Sequence, residues 1–213
     1  MLLDDGFGLD DIAPRLNRKR TTDTRGEILA AAERCFATSG FGGTSINDVA
    51  AATRYTKPAL YYHFGSKAGL FRALLEEAYD QCFGIIEAAA KDSESLEEKL
   101  TAILTGMFEF LHDRQDLTRL AFAAAFAAPN EIPKGLKSDA HRRRNFRFME
   151  QIIRTAVKRG ELKPSFSVHT LTCGIYGAMS FYLMASVLFP GTKLNRQTAR
   201  QIVALYLEGA RKR

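Results

Sequence analysis

The residues best suited to chemistry lie in one polar and aromatic segment, TSINDVAAATRYTKPALYYHFGSK, at positions 44–67. Its spacing predicts two short helices joined by a tight turn, the arrangement that places a second helix in the major groove of DNA. The second helix, near 56–62, is too short to bury Leu60 together with a lysine and two tyrosines, so one face must be exposed. Lys57 on that face can donate hydrogen bonds to phosphates or to guanine acceptors. The segment therefore predicts a nucleic-acid-binding surface.

The other side chains of this short helix also suit contact with DNA. Pro58 and Ala59 offer small apolar surfaces to a thymine methyl group. Tyr61, Tyr62 and His63 carry polar tips that can reach the sugar–phosphate backbone. The alternative interpretation is that both tyrosines belong to a hydrophobic core and that His63 is an ordinary surface histidine.

Residues on either side of this helix could add phosphate contacts. Thr44 or Ser45 can cap the first helix of the pair. Ser66 can cap the helix that follows, and the free N–H groups of that helix, beside Lys67, would form an anion site. The predicted surface therefore extends beyond the short helix itself.

Helical periodicity continues from Thr24 to the C-terminus and predicts an all-α fold of about nine helices. Gly40 and the pair Gly42–Gly43 are expected to end the first helix. Prolines fall between predicted helices, where they do least harm, and no alternating strand pattern is present. The five helices after the fourth are predicted near 94–112, 116–127, 137–159, 167–188 and 195–211.

Composition is that of an ordinary globular protein and argues against several function classes. The net charge of +6 favours an anionic partner, but weakly. Cys35, Cys82 and Cys173 lack the spacing of metal ligands and suit a reducing cytoplasm. No catalytic motif is present, so we expect neither an enzyme nor a bound metal or cofactor. Without a secretory signal or a membrane-length apolar run, the protein is predicted to be cytoplasmic, with no membrane partner.

Residues 24–71 resemble the DNA-binding domain of the TetR family of bacterial transcriptional regulators. The resemblance is carried by ILAAAERCFATSGF, by GTSI at the start of the second helix, and above all by TKPALYYHFGSKAGLF. In that family the last run holds the recognition helix and the start of the fourth helix. The organisation then predicted is a flexible tail at 1–22, a helix-turn-helix domain at 23–70, and a helical effector-binding and dimerisation domain at 71–213.

The resemblance also implies a role for each matching residue, with Leu60 structural. Groove and phosphate contacts are implied for Thr44, Ser45, Asn47, Lys57, Pro58, Ala59, Tyr61, Tyr62, His63 and Lys67. Arg54 departs from the family pattern, which usually has glycine in this turn. A left-handed arginine would cost roughly 1–2 kcal/mol. We therefore expect Arg54→Gly to raise thermal stability, whereas unchanged or lower stability would give Arg54 a role of its own, such as a phosphate contact.

The C-terminal two thirds are rich in phenylalanine and methionine, most of which should form core. TetR-like proteins usually hold a ligand cavity among these helices, so the resemblance implies an unknown small-molecule effector of apolar or aromatic character. The side chains expected to line that cavity are Phe108, Phe122, Phe126, Tyr176 and Met179.

In the family, the last two helices of each subunit form a four-helix dimer interface. One short recognition helix reads few base pairs, so a homodimer on a palindromic operator is also expected from function. The residues predicted to form the interface are Gly174, Gly177, Tyr182, Ile202, Leu205, Tyr206 and Gly209.

Two basic segments keep more than one interpretation. The run from Arg15 to Arg20 is either a solvated tail or an arm that reaches DNA. His141–Arg144 with Arg147 is a solvated face, a binding site for an anionic effector, or a contact with the partner subunit.

The predicted function is a transcriptional regulator that is released from its operator by an effector. The effector shifts the fourth helix and changes the distance between the two DNA-binding domains of the dimer. The alternatives are a DNA-binding protein without a ligand and an all-α small-molecule-binding protein without a DNA role.

Overall fold

The computed structural model describes residues 13–91, 94–128, 132–133, 140–163, 165–189 and 191–210, with side chains described from residue 24 onward. These residues contain helices and no strand, which confirms the predicted all-α class. In chain order the helices are α1 Ala13–Gly43, α2 Ile46–Ala51, α3 Lys57–Phe64, α4 Lys67–Lys91, α5 Leu96–Asp113, α6 Gln115–Phe126, α7 Ala140–Lys158, α8 Val168–Leu188 and α9 Arg196–Ala210.

The first helix begins earlier than its periodicity predicts. Its helical backbone starts at Ala13, within the segment 1–22 that the sequence predicts to be a flexible tail. Residues 1–12 of that tail, and the side chains of the basic run from Arg15 to Arg20, lie outside the described residues. The helix is broken at Gly40, whose φ of 67° is a left-handed conformation that glycine adopts without steric cost.

The chain divides into two compact units, the first ending at Phe71 and the second beginning at Arg72. In the first unit, α1 buries Ile28, Ala32 and Phe36 on one face. Phe36 meets Phe71 edge to face, with ring centroids 5.0 Å apart. This aromatic contact ties the first turns of α4 to α1.

The core of the second unit is built around α5. Leu100, Ile103, Leu104 and Phe108 of that helix are completely buried, and they belong to one cluster with residues of α4, α7, α8 and α9. Ser95 caps α5 by accepting a hydrogen bond from the Glu98 N–H at 3.2 Å. A capped helix with one fully buried face provides a rigid centre around which the other helices of the unit pack.

α8 is apolar around most of its circumference. Its length and mean hydropathy of 1.5 match those of a membrane span, although the core helix of a globular protein has the same properties. Leu171, Ile175, Met179 and Leu183 face the core. The other apolar faces of α8 bear on the functional surfaces below.

Candidate functional site

α3 is held rigidly at both ends. The Thr56 hydroxyl accepts a hydrogen bond from the Ala59 N–H at 3.5 Å, and Pro58 occupies the first turn, where a missing N–H costs little. At the other end, Gly65 has φ 72° and donates its N–H to the Tyr61 carbonyl at 2.8 Å. These caps fix the start and end of a helix of only two turns, which could not be stable alone.

The junction between α3 and α4 depends on a close backbone approach. A Cβ atom at Gly69 would overlap the carbonyl oxygen of Phe64, so only glycine fits at this point. The Gly69 N–H donates to the Ser66 hydroxyl oxygen at 3.0 Å, which makes Ser66 the cap of α4. The angle between α3 and α4 is therefore set by backbone contact.

The turn between α2 and α3 is held by side chains of its own. The Thr53 hydroxyl donates to the Ala50 carbonyl at 3.1 Å and accepts from the Tyr55 N–H at 3.1 Å. Among the described residues only glycines have positive φ, so Arg54 is not left-handed. Arg54 instead donates to Glu27 at 2.7 Å. The strain on which the expected gain in stability of Arg54→Gly depends is therefore absent.

The outward face of α3 carries the side chains predicted for it. Leu60 is 1% exposed and anchors the helix, whereas Tyr61 is 44% and Tyr62 87% exposed. Lys57, Pro58 and His63 are exposed and Ala59 is half-buried. The interpretation of the tyrosines as core aromatics is therefore wrong, and α3 presents a surface with cationic, aromatic and hydrogen-bonding groups.

At the start of α2, Ser45 and Asp48 form a reciprocal cap. The Asp48 N–H donates to the Ser45 hydroxyl oxygen at 3.2 Å, and the Ser45 N–H donates to the Asp48 carboxylate at 2.7 Å. This backbone hydrogen bond holds the pKa of Asp48 below its usual value. Ser45 and Asn47 are both exposed. They remain accessible to a phosphate beside α3.

Thr44 does not have the role predicted for it. The residue is buried, and its hydroxyl is directed inward, within donor distance of the carbonyl oxygens of Gly40 at 2.8 Å and Cys35 at 3.0 Å. The Gly40 carbonyl lies where α1 breaks, so the hydroxyl donates at a point where the regular helical hydrogen bonds are interrupted. The Thr44 hydroxyl does not point toward a phosphate.

Lys67 is also directed inward. Its Nζ donates to the carbonyl oxygens of Phe41 at 2.8 Å and Thr44 at 2.9 Å, and lies 4.4 Å from the centre of the Phe41 ring. The ammonium group therefore ties the start of α4 to the end of α1. The predicted phosphate contact of Lys67 is replaced by this structural role.

The second unit contains a cavity of about 760 Å³ lined by residues of α4, α5, α6, α7 and α8. Phe122, Tyr176 and Met179 line it, as the sequence predicts. Phe108 is 0% exposed and belongs to the core, whereas Phe126, the last residue of α6, is 81% exposed. Both were predicted to line the cavity, and neither does. The volume is within the range of drug-sized ligand sites, roughly 300–1,000 Å³.

Most of the cavity wall comes from residues that the sequence did not single out as lining. The apolar wall includes Leu75 and Cys82 of α4 and Leu117 of α6. Burial raises the pKa of the Cys82 thiol to about 11. Burial also raises the pKa of the Tyr176 phenol well above its usual value, so both groups are protonated at neutral pH. The phenol is thus a hydrogen-bond donor among the residues that line the cavity.

The basic patch at the start of α7 is divided between two roles. Arg144 forms an ion pair with Asp80 at 2.7 Å and stacks over the Phe83 ring at 4.1 Å. Arg142, Arg143 and Arg147 line the cavity. The first role fixes α7 against α4, so Arg144 departs from the interpretation of the patch as a solvated face, whereas Arg142, Arg143 and Arg147 are exposed.

The residues predicted for the dimer interface also separate into two groups. Leu205 is 75% exposed, and Gly177, Tyr182 and Gly209 are exposed too. Ile202 is buried within its own chain.

Tyr206 likewise packs within its own chain, because its hydroxyl donates to the Leu171 carbonyl at 3.0 Å. A Cβ at Gly174 would lie 3.4 Å from the Tyr206 ring, so this glycine makes room for a contact between α8 and α9 of one chain. Ile202 and Tyr206 therefore pack within their own chain, and Gly174, although exposed, leaves room for the Tyr206 ring. Large exposed apolar side chains that the prediction missed lie on and just beyond α8: Phe181, Leu188 and Phe189.

The described residues thus form a helix-turn-helix unit with an exposed basic and aromatic helix, followed by a helical unit that contains a cavity, which is the architecture of a helix-turn-helix regulator. Residues 28–74 match the profile of the bacterial regulatory proteins of the tetR family. Residues 90–206 match the tetracyclin repressor-like C-terminal domain, and this match alone covers more than half of the chain. The protein belongs to the TetR family.

Curated relatives include a transcriptional activator and a transcriptional repressor. The transcriptional activator FasR of Mycolicibacterium smegmatis is 28% identical over 124 residues, which are 58% of this chain and 56% of that protein. The transcriptional repressor AcnR of Corynebacterium glutamicum is 34% identical over 90 residues, 42% of this chain and 43% of that protein. The chain thus spans about half the length of these relatives.

Among solved structures, the regulator FadR from Bacillus subtilis in complex with stearoyl-CoA aligns with a TM-score of 0.76. The alignment covers 86% of this chain and 97% of that one at 17% identity. It shows a shared fold.

Proposed function

We propose that this protein acts as a homodimer that binds a palindromic operator through α3 and releases it when a small molecule occupies the cavity of the second unit. The observation that carries the proposal is the outward face of α3. Lys57, Tyr61 and Tyr62 are exposed on a helix whose ends are both capped, although large aromatic side chains are ordinarily buried. Such a preorganised surface is suited to a binding partner.

Contacts with bases and with phosphates can be assigned to different parts of α3. Lys57, Pro58, Ala59 and Tyr61 would face base edges, where an ammonium group donates to guanine and small apolar groups meet thymine methyls. The residues proposed for phosphate contacts, which carry affinity more than sequence preference, are Ser45, Asn47, Tyr62 and His63. Thr44 and Lys67 would support this surface from inside.

A homodimer is supported by exposed apolar side chains on α8, α9 and the residue after α8. Phe181, Leu188, Phe189 and Leu205 are each more than half exposed. Monomeric proteins rarely expose this many large apolar groups together. Pairing through them would explain why α8 is apolar on faces that its own core does not cover. Such a dimer would read two operator half-sites about one DNA turn, roughly 34–36 Å, apart.

Effector control is supported by the path of α4. This helix contributes Leu75, Tyr79 and Cys82 to the cavity wall, and its first turn, at Lys67, belongs to the first unit. A ligand that binds one position of α4 better than another shifts the equilibrium by the ratio of its two affinities. FadR, of the same fold, was solved with stearoyl-CoA, which supports ligand binding in this fold.

The test is binding of the purified protein to the DNA that flanks its own gene, measured by fluorescence anisotropy over a salt titration. We expect nanomolar, sequence-selective binding that salt weakens. Lys57→Ala/Tyr61→Ala should abolish it, and Lys158→Ala, on α7 in the second unit, serves as the matched control. Weak binding that ignores sequence and survives the double substitution would refute the proposal and favour a ligand-independent role.

The sign of regulation is tested with the same assay once an operator is known. Release by the effector is the proposed outcome. Tighter binding in the presence of the effector would reverse the sign and make the protein a co-repressor or activator system. Relatives of both kinds exist in FasR and AcnR. Because DNA lies in the bacterial cytoplasm, the proposal also places the protein there.

A further inference from the structure

The cavity of the second unit has two chemically different ends. Most of the buried side chains that line it are apolar and come from α4, α5, α6 and α8, among them Ile86, Leu117 and Met179. The two buried polar ones, Thr118 and Asn145, donate to the main-chain carbonyls of Leu111 and Tyr79. The charged side chains that line it come from α7 and are exposed or half-buried. A ligand that fills the whole cavity must therefore be apolar at one end and polar at the other.

The polar end carries a net positive charge. Arg142, Arg143 and Arg147 contribute three positive charges, and Glu150 contributes the one negative charge among the lining residues, which leaves a formal charge of two with His169 neutral. Glu150 is engaged by His169, with Nδ1 to Oε1 at 3.4 Å. Within the described chain, no carboxylate pairs with Arg143 or Arg147. The charges of these two arginines are therefore not neutralised by a described side chain.

The spacing of these arginines suits a single anionic group. Arg143 and Arg147 are four residues apart on α7, so they lie one above the other on the same face of the helix. Guanidinium groups present parallel N–H donors that match the oxygens of phosphates and carboxylates. The neighbouring Arg144 is excluded from this set, because Asp80 and Phe83 already hold it.

We infer that the effector is an amphipathic anion, with an apolar chain or ring against the buried wall and a phosphate-class head group against Arg143 and Arg147. A head group with about two negative charges, as on a phosphate monoester, balances these two arginines, whereas a single carboxylate leaves one positive charge. The inference rests on the proposed function only in naming the ligand an effector. The anion-binding site itself is a property of the cavity.

The experiment measures ligand binding directly by titration calorimetry, without DNA. The probes share one chain and differ in charge: decyl phosphate, decanoate and decanol, each below its micellar concentration, with inorganic phosphate as the probe that has no chain. We expect decyl phosphate to bind best, decanol to bind at least about tenfold more weakly, and inorganic phosphate to bind weakest. Decanoate should fall between decyl phosphate and decanol.

Substitution identifies the anion-binding site. Arg143→Gln/Arg147→Gln should lower the affinity for decyl phosphate at least about tenfold while leaving the affinity for decanol unchanged. Arg154→Gln is the matched control, because Arg154 is an exposed arginine of α7 that does not line the cavity. Bound decyl phosphate should also slow alkylation of Cys173, which is exposed and lines the cavity, but not that of Cys35 in the first unit.

Two outcomes would overturn the inference. The first is equal affinity for decanol and decyl phosphate, and the second is a double variant that binds decyl phosphate as the parent protein does. If decyl phosphate binds through Arg143 and Arg147 but leaves operator affinity unchanged, the anion-binding site is supported and the proposed release by such ligands is refuted. If the protein binds no operator, the DNA-binding proposal is refuted, and the calorimetry still tests the anion-binding site.

Discussion

Replacing Lys67 with methionine distinguishes a structural lysine from a DNA-contacting one. Lys67→Met keeps the apolar stem over the Phe41 ring and removes the ammonium group that donates to the carbonyls of Phe41 and Thr44. A hydrogen bond to a charged group contributes about 1.5–3 kcal/mol. Because Lys67 is half-buried and water can partly replace it, we expect the two bonds together to contribute about 2–3 kcal/mol to the free energy of unfolding.

The measurement has two parts, with Lys57→Met as the matched control. The chain contains no tryptophan, so urea unfolding is followed by circular dichroism. Lys67→Met should lower the free energy of unfolding by the stated amount, and Lys57→Met, at an exposed position, should change it by less than about 0.5 kcal/mol. In the salt titration of operator binding, Lys57→Met should weaken binding, and Lys67→Met should leave the slope of log K against log salt unchanged.

The opposite pattern would refute this assignment. If Lys67→Met unfolds at the same urea concentration as the parent protein, the two hydrogen bonds contribute nothing measurable. If the substitution also makes the salt slope shallower by about 0.9 per subunit, the value for one phosphate, then Lys67 neutralises a phosphate. The structural role would then have to be given up in favour of the role that the family resemblance implies.

Three further substitutions test separate parts of the structure. Gly69→Ala should lower the melting temperature and the operator affinity, because the alanine Cβ would overlap the Phe64 carbonyl. Helix propensity alone predicts the opposite, since alanine is preferred over glycine by about 1 kcal/mol. An equal or higher melting temperature would contradict the overlap. Arg54→Gly should lower the free energy of unfolding by about 1 kcal/mol, through removal of the exposed ion pair with Glu27 and the added freedom of glycine in the unfolded chain. Arg54→Ala separates the two effects, and a gain in stability would restore the idea of a strained turn. Leu205→Glu should convert the dimer to monomers in sedimentation, and a dimer that persists would place the interface elsewhere.

The sequence predicted the features that depend on local periodicity. A helix as short as α3 can direct few residues inward, so the burial of Leu60 and the exposure of Tyr61 and Tyr62 follow from spacing alone. The all-α class follows from the same 3.6-residue repeat. Such predictions succeed because each uses only the geometry of one helix and the residues next to it.

Features that depend on packing between helices could not be predicted in this way. Phe108 and Phe126 are the same residue type on adjacent helices, yet one is at the centre of the core and the other is solvent-exposed at the end of α6. Tyr206 fits against its own chain because Gly174 leaves space for its ring, a match between α8 and α9 that neither helix reveals alone. Small residues on a helix indicate a close approach, but they do not say which helix approaches.

Thr44 and Lys67 show why polar residues beside a DNA-binding helix are difficult to assign from sequence. Near the break in α1 at Gly40, the Thr44 hydroxyl and the Lys67 ammonium group lie within hydrogen-bond distance of main-chain carbonyls, and an intramolecular hydrogen bond of this kind contributes about 1–3 kcal/mol to the stability of the free protein. A phosphate contact stabilises only the complex with DNA. Folding of the free protein therefore commits both side chains to those carbonyls first.

This commitment changes the expected electrostatics of DNA binding by the segment 44–67. Lys67 is held by main-chain carbonyls, and Arg54 is paired with Glu27. Lys57 then carries the main exposed positive charge of the segment at neutral pH. The part of the salt dependence that arises from this segment should therefore be shallow, close to one phosphate contact per subunit. A steeper slope would require cations from elsewhere in the chain to reach the DNA.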